Sequence, residues 1–99
     1  MGNGKLTVVA RIKAKPGQEA RVRKELQELL VPTRAEDGCL NFDMHESLDR
    51  PGDFLFYENW TSRAHLDRHI QAPHIQNWFK LADSLLSEPV ELSFWRRVA

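Results

Sequence analysis

Several features common in proteins that bind cofactors are missing from this chain of 99 residues. Its single cysteine, Cys39, allows neither a disulfide bond within the chain nor a metal site with two thiolate ligands. The five glycines are scattered and no glycine-rich phosphate-binding motif occurs, so we expect no NAD, FAD or ATP site and no cofactor. No apolar run approaches the ~18 residues that a membrane-spanning helix needs.

An excess of charge of either sign is also missing. Fourteen basic residues balance fourteen acidic ones, and no basic block occurs along the chain. This balance gives no electrostatic reason to bind nucleic acid or an anionic membrane, so neither is expected as a partner. The N-terminus lacks the apolar segment of a signal peptide, and a lone cysteine fits a reducing compartment. We therefore expect a cytoplasmic protein.

The hydrophobic pattern predicts one domain over residues 1–99, with its structured core at about 5–97. Alternation of apolar and polar residues predicts strands, and apolar residues three and four apart predict amphipathic helices. The predicted order is β-α-β-β-α-β, with the second helical region interrupted just before Pro73. The predicted strands cover 5–14, 39–47, 54–60 and 89–98, and the predicted helices cover 18–33, 62–70 and 73–86.

This order predicts an α+β protein with a ferredoxin-like fold, in which helices cover one face of an antiparallel sheet. The other face would carry Val9, Leu55, Tyr57 and Trp95, and a single copy would leave these side chains in water. An exposed sheet face with an indole and a phenol indicates self-association. We expect a homodimer whose two sheets meet back to back or close into a barrel.

A carboxylate lies near the end of the aromatic-rich strand at 54–60. Glu58 is in phase with Phe56 and Trp60, so it points toward the helices if that phase is the covered one. Burial would raise its pKa and make it a proton acceptor near neutral pH. Alternatively, Glu58 is only an exit residue that hydrogen-bonds a neighbouring backbone N–H. Glu46, in phase with Phe42, carries the same expectation of burial.

Three histidines follow this strand. From an N-cap at Ser62, the helix face toward the sheet includes His69, which is therefore the histidine best placed above Glu58. His65 is less well placed, and His74 begins the next helical segment. The spacing of these histidines matches no zinc-protease motif, so no metal site is expected.

Two further side chains are candidates for contact with a planar ring. Trp60 either fills core volume or forms the wall of a pocket, and both can hold at once. His45 is one residue out of phase with Phe42 and Met44. It reaches the same cavity only if the strand contains a β-bulge, and otherwise it lies on the dimer face.

Three strings carry a family likeness: EDGCLNF at 36–42, DRPGDF at 49–54 and YENWTS at 57–62, followed by His69 and Pro73-His74. Together they resemble the antibiotic biosynthesis monooxygenase (ABM) family over about residues 5–97. The resemblance implies a dimeric α/β barrel of ferredoxin-like subunits, each with a pocket between sheet and helices. Family members include monooxygenases that form quinols and quinones with O2 but without metal or flavin, because the deprotonated substrate supplies the electrons.

The resemblance also implies roles for particular residues. Glu58 and His69 match the acidic and histidine positions of small bacterial members, and we expect them to be catalytic. The implied function is that of a cofactor-independent monooxygenase that oxidises a small phenolic, quinol or polyketide-like aromatic substrate with O2. The expected substrate-binding residues are Trp60, His45, His74 and Phe42.

Other functions within the same fold stay open. Haem degradation is not expected, because the Asn, Trp and His positions of the haem-degrading branch correspond here to the stretch 7–9, His69 and roughly Phe79, and the branch resembles the chain only in fold. An isomerase of a small phosphorylated dicarbonyl metabolite would use a histidine and a carboxylate as a proton shuttle. A third alternative is a non-catalytic ligand-binding dimer, and large side chains filling the space between sheet and helices would favour it.

Overall fold

Four strands and four helices form a single layer of each kind in a computed structural model that describes residues 5–99. The strands are β1 (Leu6–Lys13), β2 (Cys39–Glu46), β3 (Asp53–Trp60) and β4 (Glu91–Trp95). The helices are α1 (Glu19–Gln27), α2 (Leu30–Arg34), α3 (Arg63–Gln71) and α4 (Pro73–Leu85). The strand order is β2-β3-β1-β4 and every neighbouring pair is antiparallel, which confirms the predicted ferredoxin-like α+β fold.

The first predicted helix, at 18–33, is two helices in the structure. Pro32 has no N–H to donate to the carbonyl of Glu28, four residues earlier, and its ring crowds that carbonyl. The chain accordingly leaves α1 after Gln27 and begins the short α2 at Leu30. The break redirects the chain, so that α2 delivers Thr33 and the loop after it to the beginning of β2.

Strand β2 contains a bulge close to its beginning. Cys39 pairs with Trp60 and Asn41 pairs with Asn59, which leaves Leu40 as an extra residue. An extra residue reverses the side on which the following side chains point. Alternation along the predicted strand 39–47 would put Leu40 on the same face as Phe42, and this is wrong: Leu40 is 53% exposed, whereas Phe42 is buried.

The helices cover one face of the sheet only. On that face Phe42 and Phe56 stack with ring centroids 4.3 Å apart, and Trp60 is fully buried. On the opposite face Tyr57 and Trp95 are 44% and 58% exposed. This confirms the predicted phases, and it leaves the second face uncovered in a single chain. Within residues 5–99 no helix is both long and apolar enough to cross a membrane.

Candidate active site

Glu58 occupies the centre of the helix-covered face. It lies on β3, in register with Val8 on β1 and Phe42 on β2, and only 4% of its surface is exposed. Residues two apart on a strand share a face, so Trp60 lies beside it, and the indole Nε1 donates a hydrogen bond to Glu58 Oε1 over 2.9 Å. The predicted burial of Glu58 is confirmed.

Burial changes the acidity of this carboxyl. Removal from water raises the pKa of Glu58 from 4.5 to about 7. The hydrogen bond from Trp60 lowers the pKa and the charge of Glu36 raises it, but both effects are smaller than that of burial. Glu58 is therefore present in both ionised and protonated forms at neutral pH, which suits a group that accepts and returns protons.

Helix α3 brings an imidazole above this carboxyl. The Ser62 side chain accepts a hydrogen bond from the backbone N–H of His65 and fixes where the helix begins. Seven residues after that cap, His69 lies on the inner face, 5% exposed, with its ring centroid 4.6 Å from that of Trp60. The edge of the same ring meets Phe42 at 5.6 Å between centroids.

A second carboxylate holds the imidazole from behind. His69 Nδ1 lies 2.8 Å from Glu36 Oε2, and His74 Nε2 lies 3.0 Å from the same oxygen. Thr33 Oγ1 is 3.0 Å from His74 Nε2. Burial lowers the pKa of His69 in spite of its contact with Glu36, which acts in the opposite direction. The ring is therefore neutral at pH 7.

The neutral ring has a defined proton position. An ionised carboxylate only accepts hydrogen bonds, so His69 donates from Nδ1 to Glu36 and carries its lone pair on Nε2. Within residues 5–99 neither Nε2 of His69 nor Oε2 of Glu58 has a hydrogen-bond partner, and neither atom is fully enclosed. Both residues line the cavity between sheet and helices. Two proton-accepting atoms thus reach the same space.

This cavity is small and otherwise apolar. Its volume is about 40 Å³, and all of its lining residues except Glu58 and His69 are aliphatic or aromatic. Its lining includes Phe79 from α4, Val90 just before β4 and Leu92 on β4, and Leu92 is 37% exposed. No Lys or Arg is among the lining residues in the part of the chain that the structure describes.

The residues expected to bind substrate are placed unequally. Phe42 lines the cavity, as expected. Trp60 is fully buried behind Glu58, and His74 lies behind His69 against Glu36, so neither lines the cavity itself. Trp60 hydrogen-bonds Glu58, and His74 packs behind His69, so both support residues that line the cavity.

His45 lies outside this group altogether. It pairs with Leu55 on the uncovered face and lines a separate groove with Arg11 and Asp53. The strand does contain a bulge, as the inward reading of His45 required, but the bulge is at Leu40. Past it, Phe42 sets the inward phase and His45 keeps the outward one.

The expectation for Glu46 is wrong. Its carboxylate is exposed and accepts two hydrogen bonds from Arg23, at 3.2 and 2.7 Å, and one from the backbone N–H of Gly52. The hydrogen bond from Arg23 is the largest cause that lowers the pKa of Glu46. Glu46 is the last residue of β2, where α1 presents an arginine instead of an apolar cover.

Glu36 and Thr33 are functional candidates that sequence reasoning missed. Thr33 is the last residue of the first predicted helix and Glu36 opens the string EDGCLNF, and neither was given a role. A signal was present, because in a hairpin the residues before the first strand lie beside the end of the second. The loop before β2 therefore had to lie close to Trp60 and the start of α3.

Comparison with known proteins agrees with this architecture. The family model described as antibiotic biosynthesis monooxygenase matches residues 5–81. Rv0793 of Mycobacterium tuberculosis, which carries the name "Putative monooxygenase", is 36% identical over 88 residues, or 89% of this chain and 86% of that protein. YgiN of Escherichia coli, named "Probable quinol monooxygenase", is 31% identical over 81 residues, or 72% of this chain and 78% of that protein.

Solved structures of similar sequence share the fold of this chain. The crystal structure of PA3566 from Pseudomonas aeruginosa superposes with a TM-score of 0.93 at 32% identity, covering 100% of this chain and 99% of that one. The structure of Rv0793 superposes with a TM-score of 0.90 at 34% identity, covering 96% of each chain. The match to the family model, the identities and the shared fold agree, and the chain belongs to the antibiotic biosynthesis monooxygenase family.

Proposed function

We propose that the protein is a monooxygenase that oxidises a small phenolic or quinol substrate with O2, with no metal or flavin taking part. The family and the names of its relatives support oxygenase chemistry. The observation that carries the proposal is the pair of accepting atoms, Glu58 Oε2 and His69 Nε2, at a cavity whose lining is otherwise apolar. Such a cavity favours a flat, uncharged ring, and the pair provides the proton acceptors that a phenol needs.

The proton transfers follow from this pair. Ionised Glu58 takes the proton of a phenol O–H. In the resulting phenolate, the electron-rich ring carbon next to the carbon that bears the oxygen bonds to O2. Glu58 returns the proton to the distal oxygen, which gives a hydroperoxide. His69 Nε2 then removes the C–H proton at the same carbon while the O–O bond breaks, and that proton joins the leaving hydroxide. A quinol and O2 thereby give a hydroxyquinone and water, with all electrons supplied by the substrate.

Glu36 acts through His69 in this scheme. By accepting from Nδ1 it holds the ring in the tautomer whose Nε2 is the acceptor, and it stabilises the imidazolium that forms after proton transfer. Trp60 acts through Glu58 in a similar way, because its N–H fixes one carboxyl oxygen and leaves the other at the cavity. Both are positioning residues.

Large side chains fill most of the space between sheet and helices, which is the condition that favours the non-catalytic alternative, so catalysis requires the cavity to enlarge before a ring fits. A volume of about 40 Å³ accommodates a few water molecules, whereas cavities that bind benzene measure roughly 150 Å³. Among the lining residues Leu92 is exposed and Val90 and Phe79 are partly exposed, so these side chains have room to move outward. The absence of Lys and Arg from the described lining gives no support to a phosphorylated substrate and hence to the isomerase alternative.

Oxygen uptake with a panel of hydroquinones tests the proposal. Glu58→Gln keeps an acceptor for Trp60 but removes the base, and His69→Asn keeps a donor toward Glu36 but removes Nε2. We expect each variant to lose roughly 100-fold or more in kcat. Glu28→Gln, on the exposed end of α1, is the matched control and should retain the wild-type rate.

Equal oxygen uptake in wild type, Glu58→Gln and His69→Asn would overturn the roles assigned here. Turnover of a substrate under anaerobic conditions would favour an isomerase. Binding of an aromatic ligand without any turnover would favour the non-catalytic dimer. Far-UV circular dichroism of each variant verifies that the fold is intact.

A further inference from the structure

Behind the cavity, three ligand atoms converge from three separate segments. They are Glu36 Oε2 from the loop before β2, His69 Nδ1 from the last turn of α3, and His74 Nε2 from the first turn of α4. All three lie within 4.8 Å of one another, with Glu36 Oε2 at 2.8 Å from His69 Nδ1 and 3.0 Å from His74 Nε2. Two imidazoles and a carboxylate are donors that Zn²⁺ and related divalent ions prefer.

The separations are close to those of a metal site. In a tetrahedral zinc site with bonds of 2.0–2.1 Å, neighbouring ligand atoms are about 3.3 Å apart. The two contacts of Glu36 are within about half an ångström of that value. The two histidine nitrogens lie within 4.8 Å of each other, so side-chain rotation has to bring them closer before one ion contacts all three atoms. Thr33 Oγ1, at 3.0 Å from His74 Nε2, lies at the same place and can orient a bound water or the ring.

The backbone around the three residues explains why the sequence contains no metal-binding motif for this cluster. Ala72 is extended, with φ −63° and ψ 144°, and it ends α3 and caps α4 at once. His69 and His74 therefore approach each other across a helix break and not along one helix face. The three side chains also differ in exposure, from 7% for His69 to 23% for His74, so an ion can reach the cluster from the His74 side.

We propose that Glu36, His69 and His74 bind one divalent transition-metal ion of the Zn²⁺ class, with water completing the coordination. The ion replaces the protons that these side chains now share. A neutral His69 bound through Nδ1 carries its proton on Nε2, so the atom at the cavity changes from an acceptor to a donor. The site rests on geometry alone, and under the proposed oxygenase chemistry its occupation inhibits turnover.

Isothermal titration of EDTA-treated, dialysed protein with ZnCl2 tests the site directly. We expect one ion per chain, and tetrahedral absorption bands when CoCl2 replaces ZnCl2. His74→Ala and Glu36→Gln should each weaken Zn²⁺ binding about 100-fold or more, since the loss of a ligand exceeds the effect of losing an outer-shell partner. His45→Ala, on the uncovered face, is the matched histidine control and should bind like wild type.

No heat of binding at millimolar ZnCl2 would overturn the site and leave a hydrogen-bonded cluster. Unchanged binding in both His74→Ala and Glu36→Gln would overturn it as well, because the ion would then lie elsewhere. Oxygen uptake measured with and without EDTA distinguishes a failure of the metal site from a failure of the proposed oxygenase function. Turnover in EDTA supports the oxygenase whether or not the ion binds, and binding without any turnover supports the site alone.

Discussion

At the scale of single residues, strand phase was enough to place Glu58 but not to give it partners. Alternation along β3 predicted its inward orientation, and the helix period predicted His69 above it; the structure confirms both positions. Neither periodicity indicates Glu36, because its contact with His69 depends on how the hairpin places the loop before β2 beside the start of α3. Glu46 was wrongly expected to be buried, since strand phase alone does not reveal that Arg23 on a neighbouring helix pairs with it.

Burial of Glu58 predicts a specific dependence of stability on pH. Its pKa of about 7 in the folded protein exceeds the ordinary 4.5, so the folded state disfavours ionisation and loses stability as pH rises from 4.5 to 7. That difference corresponds to roughly 3 kcal/mol. Glu58→Gln should therefore gain up to about 3 kcal/mol over wild type at pH 8 relative to pH 4.5, as measured by urea unfolding at both values.

His69 acts in the opposite direction and is present in both proteins. Its pKa is lowered, so the folded state loses stability as pH falls through 6.5, and this contribution cancels in the comparison of wild type with Glu58→Gln. A stability difference between wild type and Glu58→Gln that is the same at pH 4.5 and pH 8 would show that the carboxyl is solvated in the folded protein.

At the scale of elements, periodicity predicted the type of each strand and helix, although β4 (Glu91–Trp95) is shorter than the strand predicted at 89–98. Strands β1 and β3 and helix α4 agree with their predicted ranges to within two residues. Failures occur at local irregularities, namely the Pro32 break and the bulge at Leu40, because both depend on hydrogen bonds that periodicity does not encode. These same irregularities bring Thr33 and Glu36 to the site.

Gly38 joins two of these elements and should tolerate no side chain. Its φ is +82°, which favours glycine, and a Cβ at this position would collide with the ring of His65 at the start of α3. For a non-glycine residue, this backbone conformation alone costs about 1 kcal/mol. We expect Gly38→Ala to destabilise the protein by more than that. Urea unfolding measures the loss.

Gly17 provides the matched control. Its φ is +89°, nearly the same, but a Cβ there would meet open space. Gly17→Ala therefore reports the backbone cost alone, and the excess in Gly38→Ala reports the contact with His65. Equal losses in the two variants would contradict the tight packing of the loop before β2 against α3.

At the scale of the whole molecule, the order of the elements predicted the fold, because one sheet with helices on a single face satisfies the observed periodicities. Assembly is a different matter. The uncovered face presents Tyr57 and Trp95, and a single chain leaves both partly in water. The homodimer inferred from this face remains a prediction, since nothing in one chain shows what covers it.

Light scattering should give twice the chain mass of 11.5 kDa for the wild-type protein. Tyr57→Asp places a charge on the uncovered face and should shift the protein toward a monomer. Leu48→Asp, in the turn after β2 where the side chain is 99% exposed, should leave the mass unchanged. A wild-type mass of one chain at micromolar concentration would refute the dimer.

The small space between sheet and helices has a kinetic consequence. A ring of the proposed size does not fit until the lining side chains move apart, so we expect its capture to be slower than the diffusion-controlled range. Departure requires the same displacement. A ring of modest affinity should therefore also leave slowly, and the O2 of the proposed reaction, being far smaller, should enter without this movement.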